Sequence, residues 1–119
     1  MKKLFLVLLA CSFVAFLTQC KSSSKVAATP PAAKMIYFDA DVMPLVSANC
    51  SPCHIPAKGG NKEALDSYDA VKTEIGEIIN RISLNPGEKG FMPFKHPKLS
   101  DSTIMVFVKW RDGGMAKSK

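Results

Sequence analysis

Cys50-Ser51-Pro52-Cys53-His54 constrains this chain more than any other stretch of it. Two thiols three residues apart, with a histidine directly after the second, form the attachment sequence for c-type haem. The chemistry explains the spacing. Each thiol adds to one of two vinyl groups along a single edge of the porphyrin, and one turn of backbone brings both sulfurs to that edge. The next residue then directs its imidazole at the iron. From the chain's own four cysteines and two histidines in 119 residues, about 0.002 such matches are expected by chance. A chain that carries this motif is expected to wrap a large, flat, mostly apolar body.

The N-terminal segment places that body outside the cytoplasm. Met1-Lys2-Lys3 is a basic start, and Leu4 to Leu17 is apolar apart from Ser12, too short for a spanning helix. Leu17-Thr18-Gln19-Cys20 then resembles the end of a bacterial lipoprotein signal, so residues 1–19 are expected to be removed and Cys20 lipidated. Leu8-Leu9-Ala10-Cys11 fits the local pattern better at its small residue. However, lipidation at Cys11 would leave the apolar Ser12 to Leu17 on the mature chain. An ordinary signal peptide or an uncleaved anchor are the alternatives, and each is also extracytoplasmic. Lys21 after Cys20 resembles lipoproteins sent to the outer membrane. Residues 20–35, rich in Ser, Ala and Pro, have little to bury and read as a tether spanning roughly 20 Å if flexible.

With Cys11 and Cys20 assigned to the export segment, Cys50 and Cys53 are the only thiols left for the domain, 36–119. A disulfide between them would close a tiny loop and stabilise little. A thioredoxin-type redox pair belongs beside a βαβ pattern, and no strand pattern is present. Loss of Lys2 and Lys3 lowers the formal charge from +6 to +4. The lysines are dispersed and no basic run is interleaved with aromatics, which argues against nucleic acid. A mild positive charge instead suits steering toward an acidic protein partner.

The hydrophobic pattern predicts helices only. A first helix begins near Ile36-Tyr37-Phe38, capped by Asp39 or Asp41, with Pro44 in its first turn and Val42, Leu45 and Val46 on its apolar stripe. Pro52, Pro56 and Gly59-Gly60 enforce loop after the motif. Ser67 caps a second helix, Tyr68 to about Ile82, with Val71, Ile75, Ile78, Ile79 and Ile82 on one face and Lys72, Glu74 and Glu77 facing away. Leu84 to Leu99 is a loop that contains Met92. Ser100 caps a last helix on which Ile104, Phe107, Val108 and Arg111 share a face, with Trp110 beside it and Gly113-Gly114 as its stop.

In that order the elements resemble small class I c-type cytochromes. The residues that carry the resemblance are Val42-Met43-Pro44-Leu45, Cys50 to His54, Met92-Pro93, Leu99-Ser100-Asp101 and Lys109 to Gly114. The resemblance implies an all-α fold of three to four helices around one covalently bound haem, with the first and last helices crossing. It also implies electron transfer rather than enzymatic catalysis. Cys50 and Cys53 would hold haem c, His54 would be the proximal iron ligand and Met92 the distal one. Two features depart from the family pattern. Phe94-Lys95-His96-Pro97 stands where glycine-rich sequence is common, which makes His96 a rival ligand. The stretch from His54 to the second helix is brief, which leaves a haem edge exposed. Lys58, Lys62, Lys89, Lys95 and Lys98 could ring that edge and attract an acidic redox partner. The alternative function is an open-site haem protein, either an accessory subunit of a haem enzyme or a gas binder. A thiol redox or metal protein using Cys50, Cys53 and His54 is the third possibility.

Overall fold

Three α-helices and two short helical turns follow one another in the computed structural model, which describes residues 34–119. A π-helical turn, Phe38–Val42, runs directly into α1, Met43–Asn49. A 3₁₀ turn, Pro56–Lys58, follows the cysteine motif. Then come α2, Tyr68–Ser83, and α3, Asp101–Asp112. The fold is all-α, with no strand among the described residues. The expected signal (1–19), Cys20 and most of the expected tether (20–35) lie outside those residues. No described helix is long and apolar enough to cross a membrane.

Two of the expected caps form. Ser67 accepts a hydrogen bond from the Ala70 N–H, and Ser100 accepts one from Thr103, both at 3.2 Å. Each satisfies a donor that the helix itself leaves unpaired. The first helix differs from expectation. Asp39 and Asp41 lie inside its first turn, and Tyr37 precedes it without a side-chain cap. Asp41 reaches back instead, accepting from the Tyr37 N–H at 2.9 Å and from Lys34 Nζ at 2.9 Å.

The remaining donors at this helix start are met by the other end of the chain. Phe38 N–H donates to the Ala116 carbonyl at 2.9 Å, and Asp39 N–H donates to that of Lys117 at 3.0 Å. Ala116 also accepts from Trp110 Nε1 at 2.9 Å, while Tyr68 Oη donates to the Met115 carbonyl at 2.9 Å. Phe38, Tyr68 and Trp110 pack together there. Phe38 lies edge-on to Tyr68 at 5.4 Å and 5.6 Å from Trp110. These are ordinary aromatic pairing distances. Trp110 is fully buried and belongs to the α3 stripe with Ile104 and Phe107, rather than lying beside it. Arg111, expected on that face, is exposed and paired with Asp112 at 2.8 Å.

Polarity along the helices follows from this junction. The first helix and α2 both start at it and run away from it, whereas α3 runs toward it. The opposite ends of the helices, and the loops that join them, therefore face a different part of the molecule.

The Tyr37 N–H and Lys34 together hold the Asp41 carboxyl below its ordinary value of 3.8. A depressed folded value means that Asp41 stabilises the fold above the ordinary carboxylate range, and that this contribution is lost as pH falls through the folded value. We expect Asp41→Ala to melt below wild type at pH 7, with the difference closing as the pH is taken below 3.8. Thermal denaturation across that range checks it, and equal melting temperatures at pH 7 would exclude the effect.

Candidate functional site

At the end away from the aromatic junction lies a cavity of about 450 Å³, partly open to solvent. Cys50, Cys53 and His54 line it together with Met92, Pro93, Phe94 and His96. Leu65, Ile78, Ile82, Leu99 and Phe107 supply apolar wall. The volume lies in the range of cofactor pockets, roughly 300–1,000 Å³. Every candidate ligand or attachment residue named from the sequence in this domain therefore meets at one place, although 38 residues separate His54 from Met92.

The motif enters the cavity from the end of α1. Cys50 N–H donates to Val46 at 2.8 Å, and His54 N–H donates to the Cys50 carbonyl at 3.0 Å, so the two thiols sit on about one turn of backbone. The following loop folds back onto the motif. Lys62 N–H donates to Cys53, and Leu65 N–H to His54, at 3.0 and 2.9 Å. Gly60 has no room for a side chain. A Cβ there would meet the Pro52 carbonyl and would stand 2.6 Å from that of Cys53. The close approach expected of the glycine pair is thus to the motif's own backbone.

His54 is oriented by a residue that the sequence did not mark. Its Nδ1 lies 2.7 Å from the Glu63 carbonyl oxygen. A carbonyl only accepts, so Nδ1 carries the proton, and Nε2 of the neutral ring keeps a lone pair for a metal. No side-chain pattern marks such a carbonyl, because any residue at position 63 has one.

The two thiols differ. Cys50 is half-buried and Cys53 exposed. Burial pushes the Cys50 thiol up to about 11. Catalytic redox thiols have lowered values, so Cys50 does not have the electrostatics of a thioredoxin-type nucleophile. No group of three or more His, Cys, Asp and Glu among the described residues is placed to share a bare metal ion.

Charge also borders the cavity. Glu74 and Glu77 lie off the buried stripe of α2 as expected, with Glu77 exposed, and both line the cavity together with Arg81 and Lys62. Glu77 pairs with Arg81 at 2.7 Å. Of the five lysines, Lys98 is half-buried and donates to the Ser83 carbonyl at 2.7 Å, and Lys95 lies over the Phe94 ring at 5.3 Å. Phe94 itself is 66% exposed. Met92 is half-buried against the core, whereas His96 is exposed.

No family model, curated protein or solved structure matches the chain. The site is therefore interpreted from its own geometry and chemistry.

Because Gly60 is wedged against the Pro52 and Cys53 carbonyls, we expect Gly60→Ala to destabilise the fold by about 1–3 kcal/mol. Gly76→Ala, on α2 with nothing within 4 Å of the added carbon, should be neutral or stabilise by about 0.5–1 kcal/mol. Chemical denaturation of both variants checks this. Equal stability would mean that the motif's loop yields freely.

Proposed function

We propose that this chain is a monohaem c-type cytochrome that carries single electrons in an extracytoplasmic redox chain. One observation carries the reading: the attachment motif and Met92 open onto the same largely apolar cavity, with His54 Nε2 left free by the Glu63 carbonyl. The residues suit the group. Cys50 and Cys53 would attach haem c covalently, His54 would ligate the iron on one side and Met92 on the other, with His96 as rival. Leu65, Ile78, Ile82, Leu99 and Phe107 exclude water from the cavity wall.

Bound haem supplies the one-electron couple of its iron, and a thioether ligand raises the potential relative to a second imidazole. The chain's own part is to hold two ligands and to leave part of the cavity open, so that an acidic redox partner can come close. No substrate pocket or catalytic side-chain set is needed. Cys20 would tether the domain to the outer membrane by lipid.

The buried core is thin, with twelve apolar side chains among the described residues. Filling the cavity completes it. We expect Cys50→Ala/Cys53→Ala to lose the cooperative melt seen by circular dichroism, and a native-like transition would count against a structural role for the cofactor. Wild-type protein matured in the periplasm, with haem supplied and its thiols kept reduced for attachment, should give a pyridine haemochrome spectrum, and failure to do so sinks the haem reading. Oxidised protein should show weak sulfur-to-iron charge-transfer absorption that disappears in Met92→Ala and persists in His96→Ala. The opposite pattern would assign the sixth ligand to His96.

A further inference from the structure

The last four carbonyls of an α-helix have no partner within it. In α2 these belong to Asn80, Arg81, Ile82 and Ser83. Two of the four are taken by the segment that carries Met92. Met92 N–H donates to the Arg81 carbonyl at 3.2 Å. Lys98 Nζ donates to the Ser83 carbonyl at 2.7 Å and to Asn85 Oδ1 at 3.2 Å. These bonds bracket residues 92–98 and leave Phe94, Lys95 and His96 as the exposed tip. Arg81 is itself held, by Glu77 at 2.7 Å, and its guanidinium lies beside Gly90.

Lys98 stands apart from its neighbours. Lys89 and Lys95 are exposed, while Lys98 is half-buried with two oxygen acceptors at the negative end of the α2 dipole. Its ammonium is committed within the fold, not held out to a partner.

We propose that Lys98 is a positioning residue for the Met92 loop: by gripping the last carbonyl of α2 it holds the loop so that Met92 stays in the wall of the cavity it shares with His54. The proposal rests on the reading of Met92 as an iron ligand. Without the grip, the Met92–Arg81 bond is the one hydrogen bond left between residues 92–98 and α2 among the described residues, beside the packing of Met92 and Leu99 against the core. Local opening then becomes easier, while the aromatic junction at the far end is untouched.

The test compares wild type, Lys98→Met and Lys98→Arg as the haem-loaded protein, with two readouts. Amide hydrogen exchange at Met92 should be about tenfold faster in Lys98→Met and return toward wild type in Lys98→Arg, as expected for loss and recovery of a charged hydrogen bond. Exchange at Val71 and Phe107 should not change. The association rate of cyanide with oxidised iron should rise about tenfold in Lys98→Met, because cyanide enters when Met92 leaves. Unchanged exchange at Met92 overturns the proposal, and so does a uniform acceleration across the chain. Fast exchange with an unchanged cyanide rate also overturns it, since the loop would then loosen without releasing the ligand. Failure of the haem reading is separate: it appears as absence of covalent haem in wild type.

Discussion

The double acceptance at the Ala116 carbonyl is the constraint on which the rest of the structure depends. One oxygen takes the Phe38 N–H at the start of the first helix and the Trp110 indole N–H near the end of the last. Both donors would be costly to bury unpaired. With Tyr68 Oη bonded to Met115 alongside, the starts of two helices and the end of a third are held at one aromatic point. Residues 38–39 are thereby joined to residues 116–117, and α1 and α2 both run outward from the junction.

That arrangement leaves a gap at the other end. α1 ends as the cysteine motif begins, α2 presents Ile78 and Ile82, and α3 contributes Phe107, but these surfaces do not close on one another. The result is a cavity walled by side chains that would otherwise need apolar partners. The proposed haem suits such a place because it is flat, apolar on its faces and fixed by covalent bonds. The loops that border the cavity are held by backbone bonds: Lys62 and Leu65 to the motif, Met92 to α2. On the proposed reading, a ligand pair would serve electron transfer only if held still through both oxidation states, and tying loops to helix ends is how a small three-helix domain would do it.

Local signals were legible wherever they depended on near neighbours in the chain. Ser67 and Ser100 announced their helices because a cap acts within three residues. The Val71–Ile82 stripe announced its buried face because helical spacing is local. The start of the first helix differs from its local signals because its unpaired donors are met from positions 116 and 117, far away in sequence. Trp110 joins the buried stripe because the junction that buries it is tertiary. Glu74 and Lys98 carry side chains that usually face water. Only the placement of the cavity and of the Met92 loop half-buries them.

The sequence by itself determined the all-helical architecture and singled out the attachment motif and the candidate ligands behind the proposal, since these follow from residue type and short-range spacing. The tertiary structure alone decided that Cys50, Cys53, His54 and Met92 share a cavity. It also decided that the Glu63 carbonyl selects the histidine nitrogen and that a lysine grips the end of α2. The physical reason is the same in each case. A backbone carbonyl has no signature in the sequence, and its partner is known only when folding brings a donor within three ångströms.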